Sequence, residues 1–177
     1  MAEISKVPRR ILPAGERAIV LYDGECNLCK TISTTLLDWD RGRTLLVSPI
    51  QSPVGDRLLG DLPDDVRLSS FHFVDRDGTR YSGGPALAPM FANLPGGHPI
   101  ARLLRAAPRP VDTVYELIAT NRVRISRFVP AALKRRSRSR LERVLADTRD
   151  ELDRIAANAE LKEQRAAERE EAAAPAG

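Results

Sequence analysis

With 177 residues, 42% of them hydrophobic, the chain can bury one sizeable core, and it has no run of eighteen apolar residues for a membrane-spanning helix. Its net charge is +4, unevenly placed: between Arg122 and Arg143 nine Lys/Arg stand against one acid, Glu142. That segment carries +8 and the remainder −4, so basicity is a local feature and not a property of the fold.

Residues 1–17 read as a flexible tail. Lys6, Arg9 and Arg10 have no apolar stretch of signal-peptide length behind them. A cytoplasmic location is the expectation, and in that compartment thiols are kept reduced, so the two cysteines are not expected to form a purely structural staple. Ala18 to Tyr22 is short, apolar and rich in β-formers, which predicts a buried strand ended by Asp23-Gly24. From Cys26 onward Cys29, Ile32, Leu36 and Trp39 recur at helical steps, with Thr31, Ser33, Thr34 and Asp38 mainly opposite, and Gly42 supplies a stop.

Leu45-Leu46-Val47 is a second buried strand closed by Ser48-Pro49. Val54 to Leu62 is a short helix, and Pro63-Asp64-Asp65 a turn. Ser70 to Val74 predicts a strand, with Asp77-Gly78 turning it into Thr79-Arg80-Tyr81. A helix follows from Gly83-Gly84-Pro85 to Leu94, with Pro89 forcing a late start or a kink. Another short helix runs from Ile100 to Arg105. Pro110 opens a helix whose apolar face is Val111, Val114, Tyr115 and Ile118. The order βαβαββα, with a parallel βαβ unit and then an antiparallel hairpin, is that of a thioredoxin-like α/β sheet carrying extra C-terminal helices.

Past Pro130 the composition shifts to Ala, Arg and Glu. Residues 18–130 are therefore read as the domain, and 131–177 as a basic linker followed by a long helical tail that frays after about Leu161. Leu141, Leu145, Thr148, Leu152, Ile155 and Ala159 alternate four- and three-residue steps, a stripe that can dock on the domain, pair with another chain or bind a partner. Lys134-Arg135-Arg136-Ser137-Arg138-Ser139-Arg140 has phosphate-binding charge. It lacks interleaved aromatics and any nucleic-acid motif, and a solvated linker is the favoured reading.

Both cysteines fall in Asp23-Gly24-Glu25-Cys26-Asn27-Leu28-Cys29, at the strand-to-helix junction. Disulfide exchange needs one thiolate to attack and a second thiol to release the mixed disulfide. A helix N-terminus aims free N–H groups and the positive end of the helix dipole at Cys26, favouring its thiolate, and leaves Cys29, nearly one turn on, to resolve. Asp23 either relays the proton of Cys29 or shapes the turn through backbone N–H groups. The alternatives are two buried thiols acting as small hydrophobes, or half a zinc site. The second is short of ligands, because only His72, in a strand beside phenylalanines, and His98, in a Gly/Pro loop, remain.

These residues resemble the DCC family of thiol–disulfide oxidoreductases, named for an Asp-x-x-Cys-x-x-Cys signature that Asp23, Cys26 and Cys29 match. Ser48-Pro49-Ile50-Gln51-Ser52-Pro53 and Tyr115 to Ile118-Ala119-Thr120-Asn121-Arg122 are similar to two further family segments. The resemblance implies a thioredoxin-like fold with Cys26 and Cys29 as the redox pair and Asp23 beside them. The proline that thioredoxins carry before the hairpin strand is replaced here by Leu68-Ser69-Ser70. Asn121-Arg122 is read as a helix C-terminus, with the alternative that Arg122 offers a planar donor fork to an anionic group or carboxylate, and Gln51 is assigned no role.

The expected activity is exchange of a Cys26/Cys29 dithiol with a protein or small-molecule disulfide, with an unidentified reductant and no cofactor. The competing expectation is a non-catalytic interaction protein working through its basic segment and C-terminal helix, with helix-mediated self-association as one form.

Overall fold

The computed structural model describes residues 8–12 and 14–173. At its centre is β2 (Ala18–Tyr22), whose five residues are all buried. A strand covered on both faces needs no polar alternation, which is why this one is apolar throughout. β2 runs parallel to β3 (Leu45–Pro49) and antiparallel to β4 (His72–Val74), which pairs with β5 (Thr79–Ser82). A two-residue edge strand, β1 (Arg9–Arg10), lies antiparallel to β5, giving the order β1-β5-β4-β2-β3. The thioredoxin-like α/β expectation therefore holds, with one strand more than the sequence predicted.

Part of the expected loose tail is thus ordered. Arg9 and Arg10 complete the sheet edge and Leu12 is buried, while residues 1–7 and 13 lie outside the described residues. The hairpin accounts for this. Gly78, at φ +82°, brings its carbonyl within reach of Ile11 N–H (2.8 Å), and a Cβ there would collide with the Leu12 carbonyl.

The two faces of the sheet are covered by different helices. Ile19, Leu21, Leu46 and Val74 face a layer holding Val54, Leu58 and Leu59 of α2 (Pro53–Leu59) and Leu152 and Ala159 of α8 (Arg149–Ala173). Ala18, Val20, Tyr22, Val47 and Phe73 face α1 (Asn27–Trp39), α4 (Leu87–Ala92) and α7 (Ala131–Asp147), through Leu36, Met90 and Leu141.

Several boundaries move from their expected places. Pro63-Asp64-Asp65 opens a helix, α3 (Asp64–Ser69), because Asp64 and Asp65 suit a first turn; β4 correspondingly starts only at His72. α4 starts late, after a 3-10 turn at Gly84–Ala86, which leaves Pro89 in a first turn where its missing N–H costs nothing. α5 spans His98–Ala106. α6 (Pro108–Phe128) runs straight through Asn121-Arg122, so these residues are not a helix end. Gly42 is not the residue that turns after α1. Arg43, at φ +51°, does so, while the buried Asp40 carboxylate accepts from Thr44 N–H, Thr44 Oγ1 and Leu45 N–H at 2.7–3.0 Å.

Ser33 and Thr34, placed by the sequence on the solvent side of α1, are buried: Ser33 lies with Cys29 and Leu36 on the side facing Val20 and Tyr22, and α7, which buries Ser137 and Leu141, packs along α1. The segment read as a basic linker, Lys134 to Arg140, is the first half of that helix, with Arg136 and Arg140 against Asp38. The single long tail helix is two, broken at Thr148. Its stripe docks on the domain itself, and α8 continues to Ala173.

Candidate functional site

Asp23-Gly24-Glu25 follows β2 as it leaves the sheet. Asp23 Oδ1 accepts Glu25 N–H at 2.9 Å, an aspartate turn that aims the chain into α1. Cys26 is the N-cap of α1, in extended conformation, with its Sγ accepting Cys29 N–H at 3.2 Å. A sulfur thus occupies the place a Ser or Asp oxygen usually takes, where unpaired helix N–H groups favour negative charge. Both cysteines are unpaired thiols and half-buried.

That geometry divides the two thiols. Cys26 is lowered to about 6, chiefly because the Cys29 thiol donates to it, with help from the Cys29 N–H and Arg122; partial burial and Asp23 oppose the shift. Cys29 is raised, first by that same hydrogen bond, which holds its proton, then by burial and by the negative charges of Cys26 and Asp23. At neutral pH the pair is one thiolate and one thiol sharing a proton.

Two residues from distant segments complete the site. Pro49 ends β3, and Ser52 caps α2 by accepting Gly55 N–H at 3.1 Å, leaving Gln51 in the turn between. From there Gln51 Oε1 accepts Gly24 N–H (2.9 Å) and Nε2 donates to Asp23 Oδ1 (3.0 Å), so the residue given no role holds the turn and the carboxylate together. Arg122, midway along α6, donates from Nη2 to the Leu68 carbonyl (2.6 Å) and lies 3.6 Å from Asp23 Oδ2. The expectation of a capping residue is corrected: Arg122 faces the cysteines. The signal was present, since both residues fall in family-like segments. Asn121 does not join it; its amide donates to Leu117 O one turn back.

Beside Cys29 opens a cavity of about 430 Å³ between α1 and α6, walled by Ile32, Val114, Ile118, Tyr115 and Phe71, with Arg122 at its edge. Ile32, Val114 and Ile118, expected to lie on buried faces, are 47%, 56% and 43% exposed because they border this opening. Tyr115 is anchored by accepting Phe71 N–H at 3.1 Å, and burial pushes its phenol up to about 12.

The histidines stand apart. His72 is fully buried, its Nε2–H donating to the Arg67 carbonyl (2.9 Å) and its Nδ1 therefore accepting from Ser82 (2.7 Å); burial lowers it to about 4. His98 is exposed at the start of α5. Among the described residues no group of three His, Cys, Asp or Glu is placed to hold a metal ion, and no helix is long and apolar enough to cross a membrane.

Comparison with known proteins identifies the family of the sequence. Residues 20–128 match the sequence model of the DCC1-like thiol-disulfide oxidoreductases. The chain is similar to the uncharacterized protein YuxK of Bacillus subtilis (strain 168), 35% identical over 66% of this chain and 80% of the relative. It is also similar to a chloroplastic DCC family protein of Arabidopsis thaliana, 37% identical over 60% of this chain and 63% of that protein. No solved structure matches.

Proposed function

Because the chain belongs to the DCC1-like thiol-disulfide oxidoreductase family, we propose that it exchanges the Cys26/Cys29 dithiol with the disulfide of a substrate. The observation that carries this reading is the asymmetry of the pair: a half-buried Cys26 lowered to about 6 at a helix N-cap, beside a Cys29 that keeps its proton. Ordinary cysteine, with pKa near about 8.5, is mostly protonated at neutral pH, whereas Cys26 is mostly thiolate. In this scheme Cys26 attacks, forming a mixed disulfide with the substrate. Loss of the Cys26 charge releases the grip on the Cys29 proton, and Cys29 then attacks Cys26 and frees the substrate thiol.

Asp23 is the proposed proton acceptor for Cys29 and also the residue that shapes the turn. Gln51 and Arg122 position its carboxylate, and Arg122 favours both thiolates. An external thiol reductant returns the chain to its dithiol form, which suits a reducing compartment such as the cytoplasm. The scaffold alternative has less to stand on, since the C-terminal stripe it would present is packed on the core.

The test is catalysed reduction of bis(2-hydroxyethyl) disulfide by dithiothreitol. Cys26→Ser is expected to lose essentially all catalysis, and Cys29→Ser to accumulate a Cys26 mixed disulfide visible by mass. Unchanged turnover in the Cys26→Ser chain would end the proposal.

A further inference from the structure

Resting on that exchange reading, we infer that the cavity beside Cys29 receives the apolar substituent R of a low-molecular-weight disulfide R–S–S–R′. The chain therefore prefers small apolar disulfides to polar ones and to extended polypeptides.

Three observations carry this. The first is contiguity. Cys29 is part of the cavity wall, and Cys26 Sγ lies 3.2 Å from the Cys29 nitrogen, so a group bonded to Cys26 sulfur is delivered to the cavity mouth. The second is size and chemistry. An apolar cavity of about 150 Å³ is enough to take benzene, and ligand pockets commonly span about 300–1,000 Å³. At about 430 Å³ this one accommodates an aromatic or branched alkyl group. Its wall has one charged residue, Arg122, already engaged with Leu68 O and Asp23, while Ile32, Val114 and Ile118 stay half in water until something apolar covers them.

The third concerns the backbone. A polypeptide substrate gripped by strand addition needs unpaired main-chain groups beside the cysteines. Here Phe71 N–H is bonded to Tyr115 Oη and Phe71 O accepts Gly83 N–H, while Leu68 O is taken by Arg122 and Gly24 N–H by Gln51. These four main-chain groups beside the site are satisfied from within, which favours side-chain burial as the means of recognition.

In the step itself the Cys26 thiolate attacks the sulfur bearing R. The Cys26 Sγ–S bond forms, the substrate S–S bond breaks, and R′S⁻ leaves and is protonated by solvent. R sits in the cavity. Cys29 then passes its proton to Asp23 and attacks Cys26 Sγ; the Cys26–Cys29 bond forms, the Cys26 Sγ–SR bond breaks, and RS⁻ leaves and takes up that proton as RSH. The chain loses two electrons as the disulfide forms, the substrate gains two as RSH and R′SH, and a dithiol in the assay restores the reduced chain.

The experiment compares kcat/KM, with dithiothreitol as reductant, for 2-hydroxyethyl 2-phenylethyl disulfide and bis(2-hydroxyethyl) disulfide. The phenylethyl compound is expected to be favoured by about tenfold or more, as burial of a ring in an apolar pocket allows. Val114→Asp and Ile118→Trp, one charging the wall and one filling the space, should each narrow the ratio to about threefold or less. A ratio near one in the unaltered chain, or a ratio kept by both variants, overturns the cavity assignment while leaving exchange intact. Reduction of insulin with a higher kcat/KM than the phenylethyl compound overturns it in favour of a protein substrate. Sedimentation as a dimer that Val114→Asp dissociates overturns it in favour of a second copy. Failure to reduce either small disulfide overturns both the exchange reading and the inference built on it.

Discussion

Two long helices, α6 and α8, cover opposite sides of the sheet and do so in opposite ways. α8 sets Leu152 and Ala159 into the core, with Ile155 partly buried beside them, and that face is closed but for a small cavity of about 100 Å³ beside Ile155. α6 has no fully buried residue: Val114, Leu117, Ile118, Val123 and Phe128 are all more than 40% exposed. It is held off by Tyr115 against Phe71 and by Arg122 against Leu68 and Asp23, polar anchors that fix its position without sealing the gap. The contrast teaches that the closed face supplies stability and the propped-open face supplies the site. The cysteines sit where the propped helix leaves room.

The most direct way to break this contrast is one substitution made on each helix. Leu152→Ala should cost about 2–5 kcal/mol in urea unfolding, as deletion of a buried leucine does, whereas Leu117→Ala on α6 should stay within about 0.5 kcal/mol. Equal costs would mean α6 closes a core of its own.

The closed side also holds His72, on the same strand face as Val74. Its folded pKa, about 4, lies below the ordinary value of 6.5, so between those pH values the unfolded chain binds the extra proton. Its stabilising effect is therefore complete above about 6.5 and is lost as pH falls through 4, on the order of 3 kcal/mol. Chemical unfolding of His72→Gln, measured across that window, should show a shallower acid dependence than the unaltered chain. An identical slope would remove His72 from the account.

At the small end, Arg136→Ala removes an exposed guanidinium 3.2 Å from Asp38 on the α7–α1 surface, and should change stability by no more than about 1 kcal/mol.

What was legible in the sequence was what local pattern determines. The β2 run, the cysteines at a strand-to-helix junction, the Asp77-Gly78 hairpin and the 141–159 stripe each carry their signal in a short continuous stretch of chain. What was not legible depended on tertiary placement. Gln51 and Arg122 reach Asp23 from segments far along the chain: a donor fork for a carboxylate was one reading of Arg122, but nothing local to Gln51 or Arg122 names Asp23 as the partner. Asn121-Arg122 failed as a stop because no glycine or proline comes before Pro130, and the helix runs on to Phe128. The basic segment looked like linker because its charges hide Ser137, which α7 buries one turn before Leu141. The two-residue β1 exists only because β5 offers it an edge.

The central claim is that one thiol of the pair is poised and the other held back. Iodoacetamide alkylation of the reduced chain, followed by mass spectrometry at each cysteine over a range of pH, tests it most directly. The account predicts that Cys26 is modified first, that its rate rises through a midpoint at about 6 as the thiolate forms, and that Arg122→Gln moves that midpoint upward. Equal labelling of Cys26 and Cys29 with a common midpoint near about 8.5, the value of an ordinary cysteine, would contradict it.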